Sequence, residues 1–255
     1  MSDDIKQYSV SQLFSGDVDY LIPMYQRNYA WGEGEITQLI QDVLDKMLMA
    51  GQQQGAGKPY YIGTLVVFRR RQEADNRTVY EVIDGQQRLT TLSILAAYFC
   101  NQGAGLDMSW FARPCVSFES RPKSSRALTA IFARKLEGSD AELLHTAEYN
   151  RDIINGYELV QKLLPKLLRE NNKVSEQAFA HYLFSQVQIM RVQVPDDTDL
   201  NHYFEIMNNR GEQLEKHEVL KSRLMSKLQA SASPEQKQPL MACLNQVWEA
   251  CSNME

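Results

Sequence analysis

The chain has 255 residues and a formal net charge of −5, with 44% hydrophobic and 23% charged residues, which is typical of folded globular proteins rather than disordered or fibrous ones. Its longest apolar stretch, Leu92–Cys100, is much shorter than the ~20 residues that cross a bilayer, and its polar start is not typical of a signal peptide. The four cysteines include no C-x-x-C pair, which argues against zinc ribbons and favours a reduced, cytoplasmic protein.

The first elements in chain order are an aromatic segment and a helix. Residues 20–31 (YLIPMYQRNYAW) are dense in aromatic side chains, and Pro23 predicts that the segment begins in an extended conformation. Apolar residues then recur at helical spacing between residues 36 and 48, which predicts an amphipathic helix.

Two strands and a helix follow. Tyr61–Arg69 is rich in β-branched and aromatic residues and apolar on both faces, so we expect a strand in the centre of a sheet. Val79–Ile83 predicts a second strand, residues 84–88 (DGQQR) a turn, and Leu89–Phe99 a helix.

The second half of the chain is mainly helical in pattern. Helical periodicity dominates from about residue 126 to residue 168, and Gln186–Val194 alternates apolar and polar residues like a strand. Residues 199–207 predict a helix that ends at residues 208–211 (NNRG), and residues 215–228 predict another.

An apolar stripe of helical spacing comes last. It consists of Leu240, Cys243, Leu244, Val247, Trp248 and Cys251. A stripe of this kind is expected to be buried against another surface. It either docks on this domain or contacts a downstream domain or a partner such as a nuclease subunit.

The segment 84–88 carries the clearest chemical signal. A helix N-terminus offers unpaired N–H groups and the positive end of a dipole, which suit an anion. Gly85 allows close approach of the backbone, and Arg88 can donate two hydrogen bonds to a phosphate. Thr90 and Thr91 add hydroxyl groups in the first turn of the predicted helix. The segment therefore predicts a phosphate-binding corner.

The remaining residues of this turn suggest further roles. Asp84 could bind Mg²⁺ or a sugar hydroxyl, and Gln86 and Gln87 could orient a water molecule. The alternative is a plain tight turn, with Asp84 as the N-cap and Arg88 in a surface ion pair.

Two other clusters are candidates for ligand binding. Tyr25, Tyr29 and Trp31 could stack on a base, with Arg27 nearby for phosphate, or they could simply pack in the core. The Asn and Arg side chains of residues 208–211 could contact a ligand or merely cap a helix.

The middle of the chain is rich in basic residues, and the segments on either side of it are acidic. Residues 61–135 carry 11 basic and 6 acidic side chains, which predicts either a surface that faces a polyanion or a solvated surface rich in arginine. The basic residues considered are Arg69, Arg70, Arg71, Arg77, Arg88, Arg121, Lys123 and Arg126.

Four segments in this order resemble one bacterial family. IPMYQRNYAW, YYIGTLVVF, VIDGQQRLTTL and FEIMNNRGEQLEKHEVLKS are similar to the N-terminal domain of GmrSD-type modification-dependent restriction enzymes, catalogued as domain of unknown function 262. The resemblance covers roughly residues 8–228. It implies an α+β fold, in which residues 1–105 form a small ParB/sulfiredoxin-like mixed sheet with helices and bind NTP. Residues 106–255 form a mainly helical region that completes the site.

The resemblance also implies roles for single residues. Asp84, Gly85, Gln86, Gln87 and Arg88 match the signature turn of the family; Pro23, Tyr25, Gln26, Arg27 and Trp31 match its N-terminal box; and Asn208, Arg210 and Gly211 match a later box. Members often hydrolyse NTPs in anti-phage defence and frequently carry a C-terminal His-Asn-His nuclease domain. No such pattern precedes Glu255, so nuclease activity is not expected of this chain.

The expected function is therefore an NTP-binding and NTP-hydrolysing sensor of a restriction system that acts on modified DNA. Asp84, Gln86, Gln87 and Arg88 are the catalytic candidates, with Mg²⁺ at Asp84 and GTP or another NTP as ligand. Tyr25, Gln26, Arg27, Trp31, Gly85, Thr90, Thr91, Asn208, Arg210 and Gly211 would bind the nucleotide. The alternative is a module without enzymatic activity that binds DNA through Arg69, Arg70 and Arg71 or recruits a nuclease, with oligomerisation possible in either case.

Overall fold

A mixed sheet and the helices around it form the described part of the protein. The computed structural model describes residues 5–16, 18–52, 59–70, 77–102, 105–133, 145–171, 174–195 and 233–252, with residues 198, 220, 224, 225, 227 and 228 between the last two ranges. Within these residues the sheet has six strands and seven helices accompany it. The predicted α+β class is confirmed.

The six strands pair in the order β1-β6-β3-β4-β2-β5. They are β1 (Ile5–Ser9), β2 (Val18–Ile22), β3 (Tyr60–Arg70), β4 (Thr78–Asp84), β5 (Val116–Phe118) and β6 (Val187–Val194). Strand β3 pairs with β4 in antiparallel and with β6 in parallel orientation, which confirms its predicted central position. Strands β2, β4 and β5 are parallel, so their carboxyl ends lie at the same edge.

Several predicted strands have the expected bounds. Strands β3, β4 and β6 lie within two residues of the segments that the sequence predicts. The short strands β1 and β5 were not predicted. Strand β1 is mostly exposed and depends on pairing with β6, about 180 positions further along the chain. Strands β5 and β6 join the same sheet as the N-terminal strands, and the division of the chain at residue 105 stays a prediction.

The seven helices lie between and after these strands. They are α1 (Val10–Phe14), α2 (Glu33–Gln52), α3 (Gln86–Gln102), α4 (Pro122–Phe132), α5 (Arg151–Glu170), α6 (Glu176–Ser185) and α7 (Pro234–Ser252). The amphipathic helix predicted at residues 36–48 is confirmed as α2, and the helical texture of residues 126–168 corresponds to α4 and α5. None of the described helices is both long and apolar enough to cross a membrane.

Helix α3 begins three residues earlier than predicted. Residues 86–88, assigned to a turn from the sequence, are helical, and the amide of Leu89 already donates a helical hydrogen bond of 2.9 Å to the carbonyl of Gly85. The reason is that Gly85, at φ +92°, reverses the chain direction after β4 in a single residue, so the helix can begin at the next one. From Gln86 to Phe99 every side chain except that of Arg88 is buried, which makes α3 the central helix of the core.

The C-terminal stripe forms a helix, as predicted, but much of it is open to solvent. Leu240 and Val247 in α7 are 42% and 55% exposed, whereas Met241, which lies outside the stripe, is 5% exposed. Leu244 and Trp248 of the stripe are half-buried, so the stripe is exposed only in part. The helices predicted at residues 199–207 and 215–228 lie outside the described residues, apart from isolated positions in the second.

Replacing Gly156 with alanine is expected to lower the free energy of unfolding by about 1–2 kcal/mol, measured by urea denaturation. Gly156 lies in α5, where an added Cβ would come within 3.1 Å of the Tyr29 ring and 3.3 Å of Ile94. Both neighbours are buried and have little room to shift. Gly51→Ala at the end of α2 is the control, because nothing lies within 4 Å of its added Cβ. Equal stability of the two variants would contradict the tight packing of Tyr29.

Candidate functional site

The corner between β4 and α3 passes directly over strand β3. An added Cβ at Gly85 would lie 3.0 Å from the carbonyl oxygen of Thr64 and 3.2 Å from the Leu65 side chain. Glycine is thus required here both by its positive φ and by the close approach to β3. Asp84, the last residue of β4, is exposed, and within the described residues its carboxylate accepts no hydrogen bond.

Arg88 lies one turn into α3 and reaches back over the same strand. Its Nη1 donates a hydrogen bond of 3.2 Å to the carbonyl of Thr64. The guanidinium lies against Gly63, where an added Cβ would be 2.9 Å from Nη1. Burial lowers the pKa of Arg88, and attraction to Asp84 opposes this effect. An arginine remains charged in such surroundings, so the corner presents a half-buried cation. Gly63 was not predicted to take part, because its position beside β-branched residues gives no signal for this contact.

A cavity of about 410 Å³ opens beside this cation. It lies between the beginning of α2, the beginning of β3 and Arg88. Its lining residues are Trp31, Gly34, Glu35, Gln38, Leu39, Asp42, Tyr60, Ile62 and Arg88. The structure thus brings together two predicted site residues, Trp31 and Arg88, which are 57 positions apart in the chain. The carboxylates of α2 and the ring of Tyr60 were not predicted to take part.

Gln87 forms hydrogen bonds to the N-terminal box rather than pointing outward. Its Nε2 donates to the carbonyl of Asn28 at 2.8 Å, and its Oε1 accepts from the amide of Ala30 at 2.9 Å. The Gln87 side chain thus both donates to and accepts from the backbone of this segment, as the backbone of a neighbouring strand would. Gln87 therefore positions the segment that leads to Trp31.

The other polar side chains at the start of α3 also face inward. Thr91 is fully buried, donates to the carbonyl of Gln87 and shares a 2.9 Å hydrogen bond with the Tyr29 hydroxyl. Thr90 is fully buried and Gln86 is 3% exposed, and the Thr90 hydroxyl and the Gln86 Nε2 have no hydrogen-bond partner among the described residues. None of these three side chains lines the cavity, and their part in nucleotide binding stays a prediction.

Arg121 holds the N-terminal box from the opposite side. It is 5% exposed, and its guanidinium donates to the carbonyls of Met24, Gln26 and Arg27. The sequence placed Arg121 in a basic surface, but it is buried because it satisfies backbone carbonyls of a loop. Gln26, a predicted nucleotide-binding residue, donates from Nε2 to the carbonyl of Ile83 at 2.6 Å. It therefore ties the box to the end of β4.

Tyr25 and Arg70 meet at one buried carboxylate. The Tyr25 hydroxyl donates to Glu81 at 2.7 Å, and the Arg70 Nε lies 2.7 Å from the other oxygen of Glu81. Arg70 also pairs with Glu119 at 2.8 Å. Burial, followed by the Glu81 charge, raises the pKa of Tyr25, which stays protonated as a donor. Tyr25 and Arg70 are thus engaged inside the domain.

The remaining predicted site residues are exposed or lie outside the described residues. Arg27 and Arg69 have exposed side chains. Arg71, Asn208, Arg210 and Gly211 lie outside the described residues.

The described residues contain no cluster of three or more His, Cys, Asp or Glu side chains that would form a metal site. Asp84 is a single hard oxygen donor. Mg²⁺ is commonly held by one or two carboxylates together with substrate phosphates, so Asp84 fits a metal that arrives with a phosphorylated ligand.

Comparison with known proteins agrees with the motifs of the sequence. A family described as GmrSD restriction endonuclease, N-terminal domain, matches residues 10–225 of the chain. This range includes the β4–α3 corner, the N-terminal box and the whole cavity lining. No curated protein matches the chain.

Proposed function

Because the chain belongs to the family of GmrSD restriction endonuclease N-terminal domains, we propose that it is the nucleotide-binding and nucleotide-hydrolysing regulatory module of a restriction system that acts on modified DNA. The observation that carries the proposal is the cavity that the rings of Trp31 and Tyr60 line together with the half-buried cation of Arg88. An aromatic surface and a fixed cation are what a base and a phosphate require.

The residues around the corner fit the parts of a nucleoside triphosphate and its metal. Arg88 is held by Thr64, so it can donate its other N–H groups to a phosphate without first being ordered. The N-terminus of α3 adds a positive partial charge at the same corner. Asp84 would hold Mg²⁺, which would supply neutralisation of phosphate charge.

Hydrolysis at this site would depend on electrostatic stabilisation. Phosphoryl transfer needs positioned cations around the transferred group rather than a covalent intermediate on the protein. Arg88 and the α3 N-terminus would neutralise charge that develops on the phosphate. Gln87 and Arg121 would act indirectly, because they hold the segment that carries Trp31. The family and this arrangement of residues support a nucleoside triphosphatase. A nuclease domain or subunit would respond to whether the nucleotide is bound or hydrolysed.

Phosphate release from GTP, ATP, CTP and UTP in the presence of Mg²⁺ tests the proposal. We expect turnover of at least one of them, and a decrease of at least tenfold in Arg88→Ala and in Asp84→Asn. Asp84 is exposed, so its replacement leaves the fold intact. Arg126→Ala, an exposed arginine on α4, is the matched control and should retain full turnover. Equal turnover in all four proteins, or none in any of them, would remove the assignment.

A further inference from the structure

We propose that the cavity beside Arg88 is a base-recognition subsite that selects guanine. This inference rests on the proposed nucleotide function and names the substrate class of the same site. It is carried by the side chains of α2 and β3 that line the cavity.

The walls of the cavity suit a planar ring. Trp31 and Tyr60 contribute aromatic surface, and Leu39 and Ile62 contribute apolar surface. The volume of about 410 Å³ lies in the lower part of the range of small-molecule pockets, about 300–1,000 Å³. This space accommodates a base with its sugar, and the phosphates would extend from it past Arg88.

The polar side of the cavity consists mainly of acceptors. Glu35, Gln38 and Asp42 lie three and four residues apart and therefore share one face of α2. Glu35 Oε2 accepts from the amide of Gly32 at 2.9 Å, and Asp42 Oδ1 accepts from Gln38 Nε2 at 2.6 Å. Glu35 also accepts a hydrogen bond from its own backbone amide, whereas within the described residues the second oxygen of Asp42 accepts none. Backbone hydrogen bonds lower the pKa of Glu35, so its carboxylate is ionised at neutral pH.

Guanine is the base whose edge matches such acceptors. Its N1–H and N2 amino group are adjacent donors and can bind the two oxygens of one carboxylate, or one oxygen each of two carboxylates. Adenine and cytosine each place a ring acceptor beside their amino group, and uracil presents two carbonyls beside one N–H. A carboxylate facing those acceptors would be repelled, so the cavity discriminates against them as well as favouring guanine.

The base edge is tested by calorimetric titration of the full chain with GTP, ITP, ATP, CTP and UTP in the presence of Mg²⁺. We expect GTP to bind about tenfold more tightly than ATP, CTP or UTP. ITP keeps N1–H but lacks the N2 amino group, so its affinity should fall between those of GTP and ATP. This comparison needs no variant and is independent of any effect of mutation on folding.

Substitutions on α2 test the carboxylates themselves. Glu35→Gln and Asp42→Asn should reduce the preference for GTP over ATP several-fold while leaving the affinity for ATP unchanged. Glu33→Gln is the matched control, because Glu33 is exposed in the first turn of the same helix and does not line the cavity. Equal affinity for all nucleotides, or a GTP preference that survives both variants, would overturn the base subsite and leave the nucleotide function standing. Failure of every nucleotide to bind would overturn both proposals.

Discussion

Replacing Arg121 with alanine is expected to lower the free energy of unfolding by about 3 kcal/mol, as measured by urea denaturation. Arg121 is 5% exposed, and its guanidinium donates to three backbone carbonyls in the N-terminal box, those of Met24, Gln26 and Arg27. A fully buried carbonyl that loses its donor costs about 1–3 kcal/mol, and these three carbonyls are partly buried. Part of this cost is recovered where water enters, which keeps the sum near the lower end.

The same substitution is expected to weaken nucleotide binding at least tenfold, because the box leads directly to Trp31 at the cavity. Arg126→Ala removes an equal charge from an exposed position five residues further along and is the control for net charge. We expect it to change the free energy of unfolding by less than about 0.5 kcal/mol. If Arg121→Ala were as stable as Arg126→Ala, the buried guanidinium would not be supporting the box.

Raising the pH is expected to destabilise the fold in two stages. Burial raises the pKa of the Cys115 thiol to about 12. It also raises the pKa of Tyr20 and Tyr29 well above the ordinary tyrosine value of about 10. A group whose pKa is raised on folding stabilises the fold below its unfolded pKa, and this contribution is lost as the pH rises from that value towards the folded pKa.

The free energy of unfolding should therefore be constant with respect to these groups below about pH 8.5, where the unfolded thiol begins to ionise. Between about pH 8.5 and pH 10 the thiol alone reduces it by about 1.4 kcal/mol per pH unit. Above about pH 10 the two tyrosines add about 3 kcal/mol per pH unit. Total stabilities are commonly about 5–15 kcal/mol, so unfolding is expected within about two pH units of that point.

Urea denaturation at a series of pH values measures this dependence, and two variants assign it. Cys115→Ala should remove the first stage. Tyr20→Phe should reduce the slope above about pH 10 by about 1.4 kcal/mol per pH unit. Tyr61→Phe is the control, because Tyr61 is 42% exposed and should leave the slope unchanged. A stability that is flat up to about pH 11 would contradict the burial of these groups.

The local elements of the site follow from the sequence. A β-branched run, a D-G turn and a helical apolar pattern are local signals, and they correctly predict β4, the corner at Gly85 and most of α3. Arg88 lies beside the cavity, and its role in binding phosphate stays a prediction. The family could likewise be recognised from the motifs alone, because each is a short contiguous string whose identity does not depend on how the chain folds.

The partners of these residues depend on contacts that no local pattern encodes. Gln87 looked like a residue that could orient a water molecule, but its amide pairs with backbone groups 57 to 59 positions away. Arg70 looked like part of a basic surface, but β3 and β4 place it against the buried Glu81.

What the sequence by itself determined is therefore the family, the α+β class and the strand–turn–helix that forms the corner. What only the tertiary structure decided is which polar groups face the cavity and which form hydrogen bonds with the backbone. Arg121 is buried against the N-terminal box, and Glu35 lines a cavity between α2 and β3, because the fold brings together segments that are distant in the chain. The physical reason is that a polar side chain takes the nearest unsatisfied partner in the folded chain, and that partner is set by long-range packing.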